Sequence, residues 1–196
     1  MRRASDAWAR GGTAGLPRIV ALSMPLLATL VPPGAHSQCG QRVAMASYSF
    51  CAPAGWRVER NAAIDLADVC DWKKRCGTSY GDPPSGLAFF SIRPAEGVHG
   101  NAHYSGPREV VSAAPHAGLP APEIAEVDLG HASSGLHRRC FVTRRLISWA
   151  GAWEEEYGLE VNGRLFWAWT RYEDDPKRIK GYRAGILGML SSLAPN

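Results

Sequence analysis

Three groupings of side chains in this chain have types and spacings that could do chemistry. Gly77-Thr78-Ser79-Tyr80-Gly81 matches the Gly-x-Ser-x-Gly pattern of a serine nucleophile, and Asp128 and His131 follow in the order a Ser-Asp-His triad would take. Such a serine is reactive because a sharp strand-to-helix turn presents its hydroxyl beside an oxyanion hole. A charged stretch, Asp71-Trp72-Lys73-Lys74-Arg75, precedes this one and Asp82-Pro83-Pro84 follows it. Both flanks favour a glycine-rich turn. His99 and His103 stand four apart, the spacing that puts two imidazoles on one side of a helix for a metal, with His116 as a third ligand. Gly97, Gly100 and Gly106 disfavour that helix. Exposed loop histidines are the plainer reading, and a metal or small-ligand site on the loop from His99 to His116 is the alternative. His131 and His137 flank a turn and read as surface residues.

The third grouping is Glu154, Glu156 and Arg171 beside Trp167 and Trp169. Two carboxylates next to tryptophans would suit a glycoside cleft, with one acid protonated and the sugar stacked on a ring. Alternate residues of one strand, however, stand about 7 Å apart on a flat surface. Cross-strand pairing of glutamate with arginine is the simpler account, and a binding face follows only if the tryptophans are open to solvent. Arg138-Arg139 and Arg144-Arg145 read as a solvated sheet face or edge kept charged against strand pairing, with an acidic partner as the alternative.

What must position these groups is a β-hairpin over residues 152–172. Asn162-Gly163 lies between two runs rich in aromatic and β-branched residues, and both residues tolerate the positive φ of a two-residue type I′ turn. That turn sets Val161 opposite Arg164, Leu159 opposite Phe166, Tyr157 opposite Ala168 and Trp153 opposite Tyr172, giving one mostly apolar face. The other face carries Glu154, Glu156 and Glu160 with Leu165, Trp167, Trp169 and Arg171. A lone hairpin is marginal in water, so partner strands and a covering helix are required. Further strands are predicted over 43–51, 56–60, 87–93, 123–129 and 136–148, with short helices over 61–72 and 107–114. Asp174-Asp175-Pro176 supplies an N-cap and a first-turn proline for a last helix. Ile179, Tyr182, Ile186, Met189 or Leu190, and Leu193 form its buried stripe. Gly181, Gly185 and Gly188 in that helix suggest a backbone lying close against the sheet.

The N-terminus reads as a secretory leader. Arg2, Arg3, Arg10 and Arg18 precede an apolar run from Ile19 to Val31, too short to span a bilayer and interrupted by Pro25, and Ala35-His36-Ser37 offers a cleavage site after Ser37. The organisation is therefore a signal peptide over 1–37 and a single domain over 38–196. No aliphatic residue stands three places before Cys39, which disfavours a lipid anchor. Removing the leader lowers the basic count from 22 to 18 and the acidic count from 18 to 17. A chain this near neutral has no electrostatic footprint for nucleic acid, and no stable membrane span is expected after cleavage. The five cysteines should mostly pair in an oxidising periplasmic or extracellular setting. Cys70 with Cys76 is the easiest pair; Cys51 and Cys140 fall in predicted strands and either cross-link neighbours or stay buried thiols. Cys39 is the expected odd one out. There is no CxxC pair to suggest zinc, and no cofactor is expected.

The element order, the segment Tyr48-Ser49-Phe50-Cys51-Ala52-Pro53-Ala54-Gly55-Trp56, the long aromatic hairpin and a terminal helix ending Leu190-Ser191-Ser192-Leu193 together resemble the PsbP-like fold. That fold is shared by the extrinsic subunit of photosystem II and many small exported bacterial proteins. The resemblance spans about residues 48–193 and implies an α+β protein, an α/β/α sandwich around an antiparallel sheet, in a family that mostly binds other proteins. No set of functional residues carries over position by position. The expectation is a sheet of about six strands with the C-terminal amphipathic helix packed on it, acting as an exported non-catalytic interaction or accessory module whose partner is another protein of the cell envelope. A small hydrolase using Ser79 or the Glu154 and Glu156 pair, and a metal or small-ligand carrier using His99 to His116, are the alternatives.

Overall fold

A computed structural model of the chain describes residues 39–71, 76, 88–101, 103–113, 122–129 and 139–196. The leader, the Ser79 loop, His116, His131, His137 and Arg138 lie outside the described residues. The strands are β1 (Gln41–Ala44), β2 (Tyr48–Ala52), β3 (Arg57–Asn61), β4 (Leu66–Cys70), β5 (Ala88–Pro94), β6 (Ile124–Asp128), β7 (Arg139–Ile147), β8 (Ala152–Val161), β9 (Arg164–Glu173) and β10 (Ala194–Pro195). The helices are α1 (Pro107–Ser112) and α2 (Ile179–Ser191).

The hairpin forms with the expected register. Asn162 and Gly163 take φ of 52° and 76°, and Val161, Leu159, Tyr157 and Trp153 pair with Arg164, Phe166, Ala168 and Tyr172. It is the middle of an antiparallel sheet in the order β3-β4-β5-β9-β8-β7-β6. The sheet has seven strands rather than about six, because residues 66–70, expected in a helix, form β4. Ala67 and Val69 face the main core, while Cys70 packs with Cys76 and Phe89 on the opposite face. With Leu66, Asp68 and Cys70 on that opposite face, apolar residues occur on both sides of the strand and blur the alternation that identifies strands.

One face of the sheet carries the main core, covered by α2 and a second, three-stranded sheet in the order β1-β2-β10. Tyr48 joins the two sheets: its ring meets Phe166 edge-on at 5.5 Å and its hydroxyl donates to the Ile92 carbonyl at 2.7 Å. The segment expected as one strand over 43–51 is divided by a turn held by Asp65. Its carboxylate accepts from Ala46 N at 2.9 Å and Ser47 N at 3.1 Å, and Asp65 itself sits at φ 48°. α2 buries Tyr182, Ile186, Met189 and Leu190, with Leu193 just beyond, on the expected stripe. Each such aliphatic burial contributes roughly 1.5–3 kcal/mol. The expected cap and first-turn proline lie one turn too early: Asp175 accepts from Lys177 N at 2.9 Å in a turn over residues 175–178 that contains Pro176, and α2 itself starts at Ile179 without a side-chain cap.

α1 covers the other face of the sheet, over β7 and β8. The close backbone approach lies here and not along α2. A Cβ built on Gly158 would stand 2.0 Å from the Pro107 carbonyl oxygen, whereas one on Gly181 meets nothing within 4 Å and one on Gly185 stands 3.6 Å from Pro53 Cγ. The α2 glycines are therefore not packing requirements at those two positions.

Cys70 pairs with Cys76 as expected. Cys51 pairs with Cys39 and not with Cys140, which is the free, buried cysteine. Alternation explains the correction. Tyr48, Phe50 and Ala52 of β2 point into the core, so Cys51, between Phe50 and Ala52, points out and can reach the N-terminal segment, while Cys140 on β7 points inward opposite Leu159. Burial pushes the Cys140 thiol up to about 12. Among the described residues no helix is long and apolar enough to cross a membrane.

Candidate functional site

Strand β8 presents three consecutive glutamates, and the two-residue period divides them between the faces of the sheet. Glu154 and Glu156 share the α1 face with Trp167, Trp169 and Arg171, as the register requires: Glu154 is opposite Arg171, Glu156 opposite Trp169 and Gly158 opposite Trp167. Glu155 faces the core side and is fully buried.

On the α1 face each carboxylate has partners. Glu154 forms an ion pair with Arg145 of β7. Glu156 Oε2 accepts from Trp167 Nε1 at 3.1 Å and lies 3.1 Å from His99 Nε2. His99 reaches it from a turn over residues 97–100, where Gly97, His99 and Gly100 all have positive φ. Its ring stands edge-on to Trp167 at 6.0 Å. A non-glycine residue at φ 52° is uncommon, and here two glycines beside it and a carboxylate beneath it fix the conformation. Tyr104 closes the turn by donating its hydroxyl to the Val98 carbonyl, and burial, then Glu109 and Glu156, raises its pKa. Trp169 packs edge-on against Phe89 at 5.2 Å, in the cluster that holds the Cys70–Cys76 disulfide. Trp167 and Trp169 are half-buried and Arg171 is buried, so this is not an open aromatic patch. The structure brings all five residues expected at a binding face together, under cover of the His99 turn and the Phe89 cluster. His103 is exposed and not drawn to His99, and no group of three His, Cys, Asp or Glu among the described residues could hold a metal.

The arginine run on β7 is not on an edge, since β6 lies outside it. Its register sets Arg139, Arg144 and Arg145 opposite Glu160, Glu155 and Glu154. Arg144 and Arg145 have their acidic partners, Glu155 and Glu154, on the next strand of the same sheet.

The group that inspection of the sequence passes over is Glu155. Arg144 Nε donates to its Oε1 at 2.8 Å and Arg183 Nε, from α2, donates to the same oxygen at 3.1 Å. The Tyr157 hydroxyl donates to its other oxygen. Arg183 also donates to the Tyr172 hydroxyl at 2.8 Å, with its guanidinium over the Trp153 and Tyr172 rings at 5.5 and 5.8 Å. Burial, with Glu155 beside them, raises the pKa of both Tyr157 and Tyr172, so both act as neutral donors. The signal was available: a glutamate between Trp153 and Tyr157 on the apolar face must be paired or expelled. Charge beside Glu155 is positive overall, two guanidiniums against one carboxylate, and both cations are part-exposed, at 41% and 32% for Arg144 and Arg183. The chain matches no protein-family model and no curated protein.

Proposed function

We propose that this chain is an exported, non-catalytic interaction or accessory module of PsbP-like type, working in the periplasm or outside the cell with another envelope protein as partner. The observation that supports the reading is the employment of the hairpin glutamates. Glu154 ties β8 to β7, Glu155 ties β8 to β7 and α2, and Glu156 holds the His99 turn on the sheet. Carboxylates held this way fix the relative positions of strands, helix and turn, and a rigid sheet with a fixed surface is what a docking domain needs. Two disulfides add the stability suited to an oxidising compartment. The test uses the chain without residues 1–37 as bait against the envelope fraction of the cells that make it, alongside a panel of ester and glycoside substrates. A reproducibly enriched single protein with no turnover is expected; turnover without any enriched protein overturns the proposal.

A further inference from the structure

A groove of about 540 Å³ runs along the flank of α2, lined by Pro176, Ile179, Lys180, Arg183, Ala184 and Leu187. It lies beside the Glu155 cluster, because Arg183 belongs to both. Its apolar wall is built from Ile179, Ala184 and Leu187, with Ile179 and Leu187 only partly covered by the core they pack against. Its lining carries two cations, Lys180 and Arg183, and no acidic residue. Arg144 and Arg183 bind a single carboxylate oxygen, both through Nε, and their Nη groups make no hydrogen bond among the described residues. Lys180 is exposed on the rim.

The start of α2 points the same way. Its first turn contains no acidic residue, and Lys180 stands there where the helix dipole favours negative charge, while Asp175 just before the helix pairs with Arg178 at 3.5 Å and accepts from Lys177 N. Arg183 is held in place by Glu155, Tyr172 and the Trp153 ring. A guanidinium fixed in this way presents its remaining donors without further ordering cost, and planar donors match a carboxylate.

Resting on the interaction-module reading above, we infer that this groove seats an acidic, apolar-bearing polypeptide segment of the partner protein. An aliphatic side chain of the segment lies along Ile179 and Leu187, and its carboxylates meet Arg183, Arg144 and Lys180. On the interaction-module reading the partner is a protein, so the occupant is a segment of it; an anionic lipid surface is the rival that the experiment separates.

The experiment places a photo-cross-linking benzophenone side chain at Ala184 of the full chain, in the cells that make it, and at the exposed Arg60 on the β3 edge as a second position. Adducts are sequenced by mass spectrometry, and thermal midpoints of both variants establish that they fold. The expected result is an adduct from position 184 to a net-acidic segment of one protein, with a yield that falls about tenfold in Lys180→Glu, whose added charge repels the segment. An adduct with lipid alone, a cross-linked segment without acidic residues, or a yield unaffected by Lys180→Glu overturns the inference. Protein adducts from position 60 and none from 184 overturn the groove while leaving the module reading in place. No protein adduct from either position, joined to an empty capture experiment, overturns both.

Discussion

Replacing Glu155 by glutamine tests whether the hairpin's buried acid organises the α2 side of the sheet. The substitution keeps the shape and one acceptor oxygen but removes the charge shared by Arg144 and Arg183 at 2.8 and 3.1 Å. Breaking a buried ion pair by removing one partner costs about 3–5 kcal/mol. The two guanidiniums are 41% and 32% exposed, so water recovers part of their solvation. That places Glu155→Gln at the lower end, about 3 kcal/mol. Arg144→Gln and Arg183→Gln should each cost only about 1 kcal/mol, since the carboxylate keeps its other cation and the Tyr157 hydroxyl. Urea unfolding followed by tryptophan fluorescence reads these differences as midpoint shifts, with unchanged slope if the native state stays intact. The asymmetry is the discriminating result. A Glu155→Gln variant within about 0.5 kcal/mol of the parent, or one no worse than Arg144→Gln, refutes the shared-carboxylate reasoning.

Gly158→Ala should cost about 3 kcal/mol or more, because its Cβ would stand 2.0 Å from the Pro107 carbonyl oxygen and α1 must move off the sheet. Amide exchange should show lost protection across residues 107–112; retained protection with parental stability refutes the contact. Gly181→Ala, exposed in α2 with nothing within 4 Å, should stabilise by about 1 kcal/mol, visible as a higher thermal midpoint. Tyr48, Tyr157 and Tyr172 all have raised folded-state pKa values, from burial first. Above about pH 10 the unfolded chain releases these protons and the native chain keeps them, so stability is full below that pH and falls above it, with a limiting slope of about 4 kcal/mol per pH unit for the three. A flat urea midpoint between pH 9 and 11 would contradict this. Cys140, with its thiol pushed up to about 12 and buried, should resist a thiol reagent in the native state and become the single reactive thiol on non-reducing denaturation.

The parts of the fold that could be read from the sequence are those with local, stereochemically unambiguous signals. Asn162-Gly163 demands positive φ at two successive residues, and one turn type then sets ten-residue register across β8 and β9. The α2 stripe was legible for the same reason, because a 3.6-residue period over thirteen residues leaves little ambiguity. β4 was not, because Leu66 and Val69 fall on opposite faces of the strand and the apolar residues of this segment follow neither a two-residue nor a 3.6-residue period.

The site was half legible. Alternation alone placed Glu154, Glu156, Trp167, Trp169 and Arg171 on one face, but alternation does not say which strand lies beside which. That information sat in the turn between β7 and β8, a short 3₁₀ segment at residues 148–150 closed by Gly151 at φ 57°. It carries no Asn-Gly or Pro-Gly signature, so 144–145 and 154–155 looked like two unrelated charge runs. Recognising Gly151 as the left-handed residue that ends a tight reversal would have folded one run onto the other and paired Arg144 with Glu155 and Arg145 with Glu154. It would also have shown that α2 must bring a second cation to Glu155, since an acid on the apolar face with one part-exposed arginine is under-compensated for full burial. Arg183 is that cation, one turn from Ile179 on the flank of the helix, which is why the core's charge balance and the groove beside α2 are settled by the same residue.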